Sequence, residues 1–259
     1  MLGLNKCLAS ADRLLVHTEF SRQVLEKGGH DPAKIAVIPH GLIAHDAAGP
    51  VSDAWHSFEQ QAMAFEHRLL LLGAVKPYKG TDVLLRAFAA LPDEIRQKTA
   101  VVICGELKMP VDDLKSLAAE LGIADNVLWW TDWLLDAEVQ RASEIATIRM
   151  FPYREIDASG ALLQALPLGN AIVASRVGGF ANLFHGELEE YLFESDDWQG
   201  CTDILVRLLN DAASRDQAGQ RIKHRADSID SWTEIGSKTK ALYESILNDS
   251  YSPTKQVSQ

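Results

Sequence analysis

The apolar positions of this chain fall into short, nearly continuous runs separated by amphipathic stretches. Arg13-Leu-Leu-Val-His17 is the first such run, and Thr18-Glu-Phe-Ser21 after it opens a helix that reads to Lys27-Gly28-Gly29, with Thr18 or Ser21 as its cap. Ile35-Ala-Val-Ile-Pro39 is a second strand, closed by His40-Gly41, so the first 45 residues predict one β-α-β unit. From His45 to about His67 the pattern weakens around Gly49-Pro50, and residues 46–66 read as an irregular or weakly helical linker.

Beyond it the alternation is regular. Strand runs at Leu69–Val75, Ala100–Cys104, Val127–Trp130, Ile148–Tyr153, Ala171–Ser175 and Tyr191–Phe193 are interleaved with helical patterns at Thr81–Leu91, Val111–Leu121, Asp136–Ile145, Ser159–Leu166, Gly178–Phe184 and from Trp198. Runs apolar at every position are strands buried on both faces, so residues 67–230 predict an α/β domain: a Rossmann-like parallel sheet with helices on both faces. Ser231-Trp-Thr-Glu-Ile235 opens a last helix, taken as 231–248, and 249–259 is a polar tail expected to be disordered.

Such a sheet takes ligands beyond the carboxyl ends of its strands, and three loops there carry chemistry. Gly73-Ala-Val-Lys76-Pro-Tyr-Lys79-Gly80 sets two ammonium groups beside the N–H groups of a helix start, which suits a diphosphate, although on its own the pattern more often marks a plain surface turn. Pro152-Tyr-Arg-Glu155-Ile-Asp157-Ala-Ser159-Gly160 combines a carboxylate pair with a small-residue helix entry. Glu155 and Asp157 suit sugar hydroxyls and the N–H groups near Ser159 suit a phosphate, or Asp157 or Ser159 simply caps the helix. Val177-Gly178-Gly179-Phe180 allows close backbone approach to a ligand or only a tight turn, and Glu106 is a further acid at a strand's carboxyl end.

Composition narrows the partners. The 259 residues are 47% hydrophobic and 24% charged, as in folded globular chains. Lys and Arg total 25 against 36 Asp and Glu, a formal charge of −11, which disfavours nucleic acid as a partner and requires any anion to find a local basic pocket. Cys7, Cys104 and Cys201 are few and scattered, fitting a reducing compartment and no metal site. The longest apolar run is far below the roughly 20 residues of a membrane span, so a cytoplasmic protein is expected, with peripheral contact at the inner membrane face left open. Asp196-Asp197 reads as the cap of the helix near Trp198 rather than as a metal-binding pair. The tryptophans, Trp129-Trp130 and Trp133 among them, suit either packing or a sugar-stacking surface.

In their order, these segments resemble the retaining glycosyltransferases of family four, which have the GT-B fold. The likeness is carried by Ala11-Asp-Arg with Val16-His-Thr-Glu-Phe-Ser-Arg22 and Ile35-Ala-Val-Ile-Pro-His-Gly41, by Gly73 through Gly80, by Phe151-Pro-Tyr-Arg-Glu-Ile-Asp157 with Ser159-Gly160, and by Ala171-Ile-Val-Ala-Ser with Val177-Gly-Gly179. It runs over about residues 9–247. The resemblance implies the C-terminal half of a GT-B fold, which holds a UDP-sugar or GDP-sugar, and it makes residues 1–45 a remnant of the acceptor-binding N-terminal domain, otherwise absent. It implies hexosyl transfer with retention of configuration in carbohydrate biosynthesis, to a glycan, lipid or small-molecule acceptor, without metal or other cofactor.

Residue by residue, the resemblance makes Lys79, and Lys76 where the family often has Arg, the neutralisers of the donor phosphates, and Glu155 the holder of the donor sugar. Glu155 and Lys79 are the expected catalytic pair. Gly73, Lys76, Gly80, Glu106, Asp157, Ser159, Gly160, Gln164, Gly178 and Gly179 complete the expected donor site. The family's Glu-x7-Glu motif is altered: Gln164 stands at the second position, eight residues intervening from Glu155 and six from Asp157. Thr147 and Arg149 replace an Asp and an apolar residue, and Ala181-Asn182 replace Pro-Glu. These departures keep open a non-catalytic nucleotide-binding or interaction module, either a truncated product or one subunit of a split enzyme whose partner chain supplies the N-terminal domain. An unrelated doubly wound protein of the response-receiver shape is a third reading.

Overall fold

The computed structural model describes residues 2–44 and 49–250, so the expected tail at 251–259 and the linker residues 46–48 lie outside the described residues. The chain divides into two compact units, residues 1–42 with 229–259 and residues 43–228.

In the first unit α1 (Leu2–Ser10) precedes β1 (Leu14–Val16), α2 (Glu19–Lys27) and β2 (Ile35–Val37). The Thr18 hydroxyl caps α2 by accepting from Ser21 N at 3.0 Å. β1 and β2 pair in parallel as a two-stranded sheet, Leu14 opposite Ile35. No residue of α2 is buried, and Leu15, Phe20 and Val24 are exposed.

The second unit opens with α3 (Asp53–Met63), β3 (His67–Leu72), α4 (Thr81–Ala89), α5 (Asp93–Arg96), β4 (Thr99–Cys104), α6 (Asp112–Glu120) and β5 (Val127–Trp130). It continues through α7 (Asp136–Ile145), β6 (Ile148–Phe151), α8 (Gly160–Ala165), β7 (Ala171–Ser175), α9 (Gly178–Leu183), β8 (Leu192–Phe193), α10 (Trp198–Asn210) and α11 (Ala212–Asp227). Six strands form one sheet in the order β5-β4-β3-β6-β7-β8, each pair parallel. Every residue of β4 and β7 is buried, which is why these strands read as unbroken apolar runs. Chain order runs outward in one direction from β3 and in the other from β6. The crevice between those two strands is therefore the topological switch point, where open parallel sheets bind ligands.

One expectation is corrected. Most of the span read as linker is the helix α3, capped by Ser52, and it lies inside the second unit. Trp55, Phe58 and Ala62 form its buried stripe and pack with Leu70, Leu72, Val102, Cys104 and Ala142. Trp55 is fully buried, 5.2 Å from the Trp130 ring. Glu138 of α7 fixes the helix start, accepting from Ser52 N at 3.1 Å and from the Ser52 hydroxyl at 2.7 Å. The stripe was masked in sequence by the polar residues around it and by Gly49-Pro50 just before. Trp133, by contrast, is 77% exposed.

The last helix, α12 (Trp232–Ser250), groups with residues 1–42. Trp232 Nε1 donates to the Leu42 carbonyl at 2.9 Å, and its ring meets His40 edge-on at 5.0 Å. The backbone of Asp249 and Ser250, expected in the tail, continues this helix. Among the described residues no helix is long and apolar enough to cross a membrane.

Candidate functional site

Four loops leave the carboxyl ends of β3, β4, β6 and β7, and main-chain hydrogen bonds join each to a neighbour. Val75 N donates to Glu106 O at 2.9 Å and Lys108 N to Val75 O at 3.0 Å, tying the β3 and β4 loops. Arg154 N donates to Tyr78 O at 2.7 Å, tying β3 to β6, and Gly179 N to Asp157 O at 3.1 Å, tying β6 to β7. Two glycines make this knit possible. Gly80 (φ +63) and Gly178 (φ +46) hold left-handed conformations, and a Cβ at either would run into the carbonyl oxygen of Pro152 or Ile156. The absent side chains at these two positions thus serve loop-to-loop contact, whatever their distance from a ligand.

The β3 loop turns through a short 3-10 segment, Pro77–Lys79, into α4. Lys79 is only 6% exposed; its Nζ donates to the Leu72 carbonyl at 3.1 Å and lies 5.2 Å from the centre of the Tyr153 ring. Among the described residues it has no carboxylate partner. Burial, assisted by the charge of Lys76, lowers its pKa to about 8. Lys76 itself is exposed, with Nζ 5.9 Å from the Tyr78 ring centre. The Thr81 hydroxyl, in the first turn of α4, is buried and has no hydrogen-bond partner among the described residues. Spacing gave no reason to single it out, since an unused hydroxyl is visible only in three dimensions.

The β6 loop sits on an aromatic floor: Tyr153 meets Tyr78, Phe151 and Phe180 with ring centres 5.6, 5.7 and 5.4 Å away. Glu155 and Asp157 are exposed, Gln164 is half-buried on α8, and Gly160 is exposed at the start of that helix. Ser159 is the cap of α8, its hydroxyl accepting from Leu162 N at 3.3 Å. Arg154 is engaged within the protein: its guanidinium pairs with both oxygens of Asp82, at 2.9 and 2.7 Å, and with Asp196 at 2.8 Å. Burial alone would raise the Asp82 pKa, but the bonds and charge of Arg154 outweigh it and hold the carboxyl below its usual range. Glu106 pairs with Lys108 at 2.7 Å in the exposed β4 loop. Asp197 caps α10, accepting from Gly200 N at 2.9 Å. Lys76, Lys79, Gly73, Gly80, Glu155, Asp157, Ser159 and Gly160 thus all lie on the two loops that flank the switch point, with Glu106 on one side and Gly178-Gly179 on the other.

A cavity of about 540 Å³ opens at the opposite, amino ends of β3, β6 and β7, lined by Arg68, Arg141, Thr147, Asn170 and Arg215 among others. Its arginines are engaged. Arg68 donates to the Ile145 and Phe65 carbonyls at 2.5 and 2.6 Å, Arg141 pairs with Glu59 and Glu144 at 2.6 and 2.9 Å, and Arg215 donates to the Leu208 carbonyl at 3.0 Å.

With this geometry in hand, comparison with known proteins decides the family. The family described as "Glycosyl transferases group 1" matches residues 66–211, more than half of the chain. This chain belongs to the group 1 glycosyl transferases. A D-inositol 3-phosphate glycosyltransferase of Mycolicibacterium gilvum is 33% identical over 187 residues, covering 69% of this chain and 40% of that protein. Another, of Salinispora arenicola, is 27% identical over 260 residues, covering 94% of this chain. The group 1 chain described here spans 57% of that relative's length. Among solved structures, Anabaena Alr3699/HepE in complex with UDP-glucose superposes with a TM-score of 0.77 at 15% identity, over 94% of this chain and 66% of that one. The C-terminal domain of a Francisella tularensis group 1 protein, LpcC, superposes with a TM-score of 0.58 at 16% identity, over 72% of this chain and 97% of that one. The parallel sheet and its flanking helices are those of a GT-B C-terminal domain.

Proposed function

We propose that the second unit of this chain binds the donor of a glycosyl transfer, a UDP-sugar or GDP-sugar, and that the protein moves its hexosyl group to an acceptor hydroxyl with retention of configuration. The observation that carries the reading is Lys79, a buried cation with no carboxylate partner among the described residues, at the switch point of the sheet. Unmatched buried charge is costly, and a diphosphate arriving there would supply its counter-ion. Lys76 adds a second, exposed positive charge, while the Thr81 hydroxyl and the first N–H groups of α4 offer neutral donors.

In the reaction, the bond between the anomeric carbon and the diphosphate oxygen lengthens through an oxocarbenium-like state. Negative charge grows on the leaving diphosphate, and Lys79 and Lys76 stabilise it more strongly than they do the bound donor. Glu155 would orient the sugar hydroxyls, with Asp157 beside it. Gln164 would accept from a ribose hydroxyl through its amide oxygen. Membership in the group 1 family and the UDP-glucose named for the Anabaena structure support a nucleotide-sugar as the ligand.

A second reading is favoured by the first unit. Its parallel sheet has two strands, and Leu15, Phe20 and Val24 are 40–52% exposed around it, whereas parallel sheets are normally covered on both faces. That exposure fits residues 1–45 as the last β-α-β of an acceptor-side domain whose remainder lies on another segment or on a partner chain. On this reading the chain described here binds donor and transfers sugar only once that remainder is present.

Calorimetric titration with UDP and GDP, for the wild-type protein and Lys79→Met, tests the donor site. One nucleotide should bind the wild type, and Lys79→Met should weaken it by about a hundredfold or more, the scale of truncating one partner of a buried charge pair. Unchanged affinity in a cooperatively folded Lys79→Met variant would overturn the reading.

A further inference from the structure

Arg149 stands in the middle of β6 with 1% of its surface exposed, and neither terminal guanidinium nitrogen has a hydrogen-bond partner among the described residues. A guanidinium withdrawn from water is ordinarily matched by carboxylates or carbonyls, because an unpaired buried charge is among the costliest features of a core. Burial lowers its pKa to about 10, and the group opposing that effect is Tyr153 rather than a carboxylate. At neutral pH the side chain remains a cation.

Register and ring contacts locate this charge. Arg149 lies between Leu70 of β3 and Ile172 of β7, on the sheet face where Leu70 packs with α3 and α7. Phe151 follows two residues later on the same face, and its ring touches Tyr153. Tyr153 in turn lies against Lys79 Nζ, 5.2 Å from the ring centre. One buried cation, Lys79, thus lies against Tyr153, and a second, Arg149, precedes Phe151 by two positions in the strand that leads to it; neither has a carboxylate partner among the described residues. Lys79 faces the loops; Arg149 lies deeper in the sheet.

The geometry points to Arg149 as a positioning residue of the donor site: a buried positive charge that acts through Tyr153 and across low-dielectric protein to favour the phosphate-bearing part of a nucleoside diphosphate ligand. The inference rests on the donor-binding reading above and adds a residue to it. A fixed charge within about 10 Å of a phosphate, at an effective dielectric near 20, changes affinity by on the order of tenfold. The same charge has nothing to act on in an uncharged nucleoside. Its cost is borne by the unliganded protein, which is why the ligand-free fold should gain stability when the charge is removed.

The test is a set of calorimetric titrations of the full chain with UDP, GDP, uridine and guanosine, for the wild type, Arg149→Met and Arg149→Lys, with thermal denaturation of each. Arg149→Met should lower diphosphate affinity by about tenfold, leave nucleoside affinity unchanged and raise the Tm, and Arg149→Lys should restore most of the diphosphate affinity. Arg149→Gln, neutral and polar, supplies the same comparison where the methionine variant does not fold. An unchanged ratio of diphosphate to nucleoside affinity, or equal loss of both, would overturn the inference and leave the donor site standing. Binding of neither diphosphate by the wild type would instead overturn the donor reading, and the inference with it.

Discussion

Cations gather at both ends of the six-stranded sheet, under opposite conditions. At the amino ends Arg68, Arg141 and Arg215 surround a cavity, and each donates to carbonyls or carboxylates of its own unit. At the carboxyl ends Lys79 is more deeply buried than any of them, with one carbonyl bond and, among the described residues, no carboxylate. Arg154, on the next loop, behaves like the amino-end group and is taken up by Asp82 and Asp196. On the donor-site proposal, number of charges and size of cavity do not distinguish the binding end from the structural one. What distinguishes them is whether the donors already have partners, since hydrogen-bonding capacity left unused in a buried group is available to a ligand.

Substitution at each end sharpens the contrast. Lys79→Met should reduce diphosphate affinity by about a hundredfold or more while stabilising the ligand-free protein by roughly 1–3 kcal/mol, read by calorimetry and denaturant unfolding. Arg68→Met should do the reverse, destabilising by roughly 1–3 kcal/mol through two carbonyls left without their charged donor, with no change in nucleotide binding. Loss of nucleotide binding in Arg68→Met would break the comparison.

The effect of pH on the carboxyl end is smaller and has a definite sign. Lys79 loses its proton near pH 8 in the folded protein but only near its usual, higher pKa when unfolded. Between those values the unfolded state binds more protons, so the ligand-free protein gains stability as pH rises above 8. Diphosphate affinity should fall over the same range, by up to about tenfold per pH unit, since on the donor-site proposal the ligand requires the charged amine. An affinity flat from pH 7 to 10 in titration calorimetry would show that Lys79 is not the phosphate's counter-ion. The smallest effect belongs to the exposed Glu106–Lys108 pair. Glu106→Gln should shift stability by less than about 0.5 kcal/mol, as solvated pairs do, and a larger shift in thermal melts would mean that the β4 loop is held by this pair rather than by its backbone.

The sheet was legible in sequence because its strands are buried on both faces and leave unbroken apolar runs. Helix caps were legible for a related reason: Thr18, Ser159 and Asp197 each bond a backbone N–H within three residues, a local event that spacing encodes. The helix carrying Trp55 was not, since its stripe is three residues wide and its N-terminal anchor, Glu138, lies 86 residues away from Ser52. Pairings of that kind also decide which cations are available. Arg154 meets partners 72 and 42 residues distant, and Arg149 meets none among the described residues, a difference that neighbouring residues do not record.

The backbone bonds between the loops after β3, β4, β6 and β7 have a consequence for how the site can vary. Each loop's main chain is measured against the next, Val75 against Glu106, Arg154 against Tyr78, Gly179 against Asp157. Inserting or deleting a residue in one of them would shift its carbonyls out of register with its neighbour and would need a matching change there. On these loops, side chains are therefore freer to change than loop lengths.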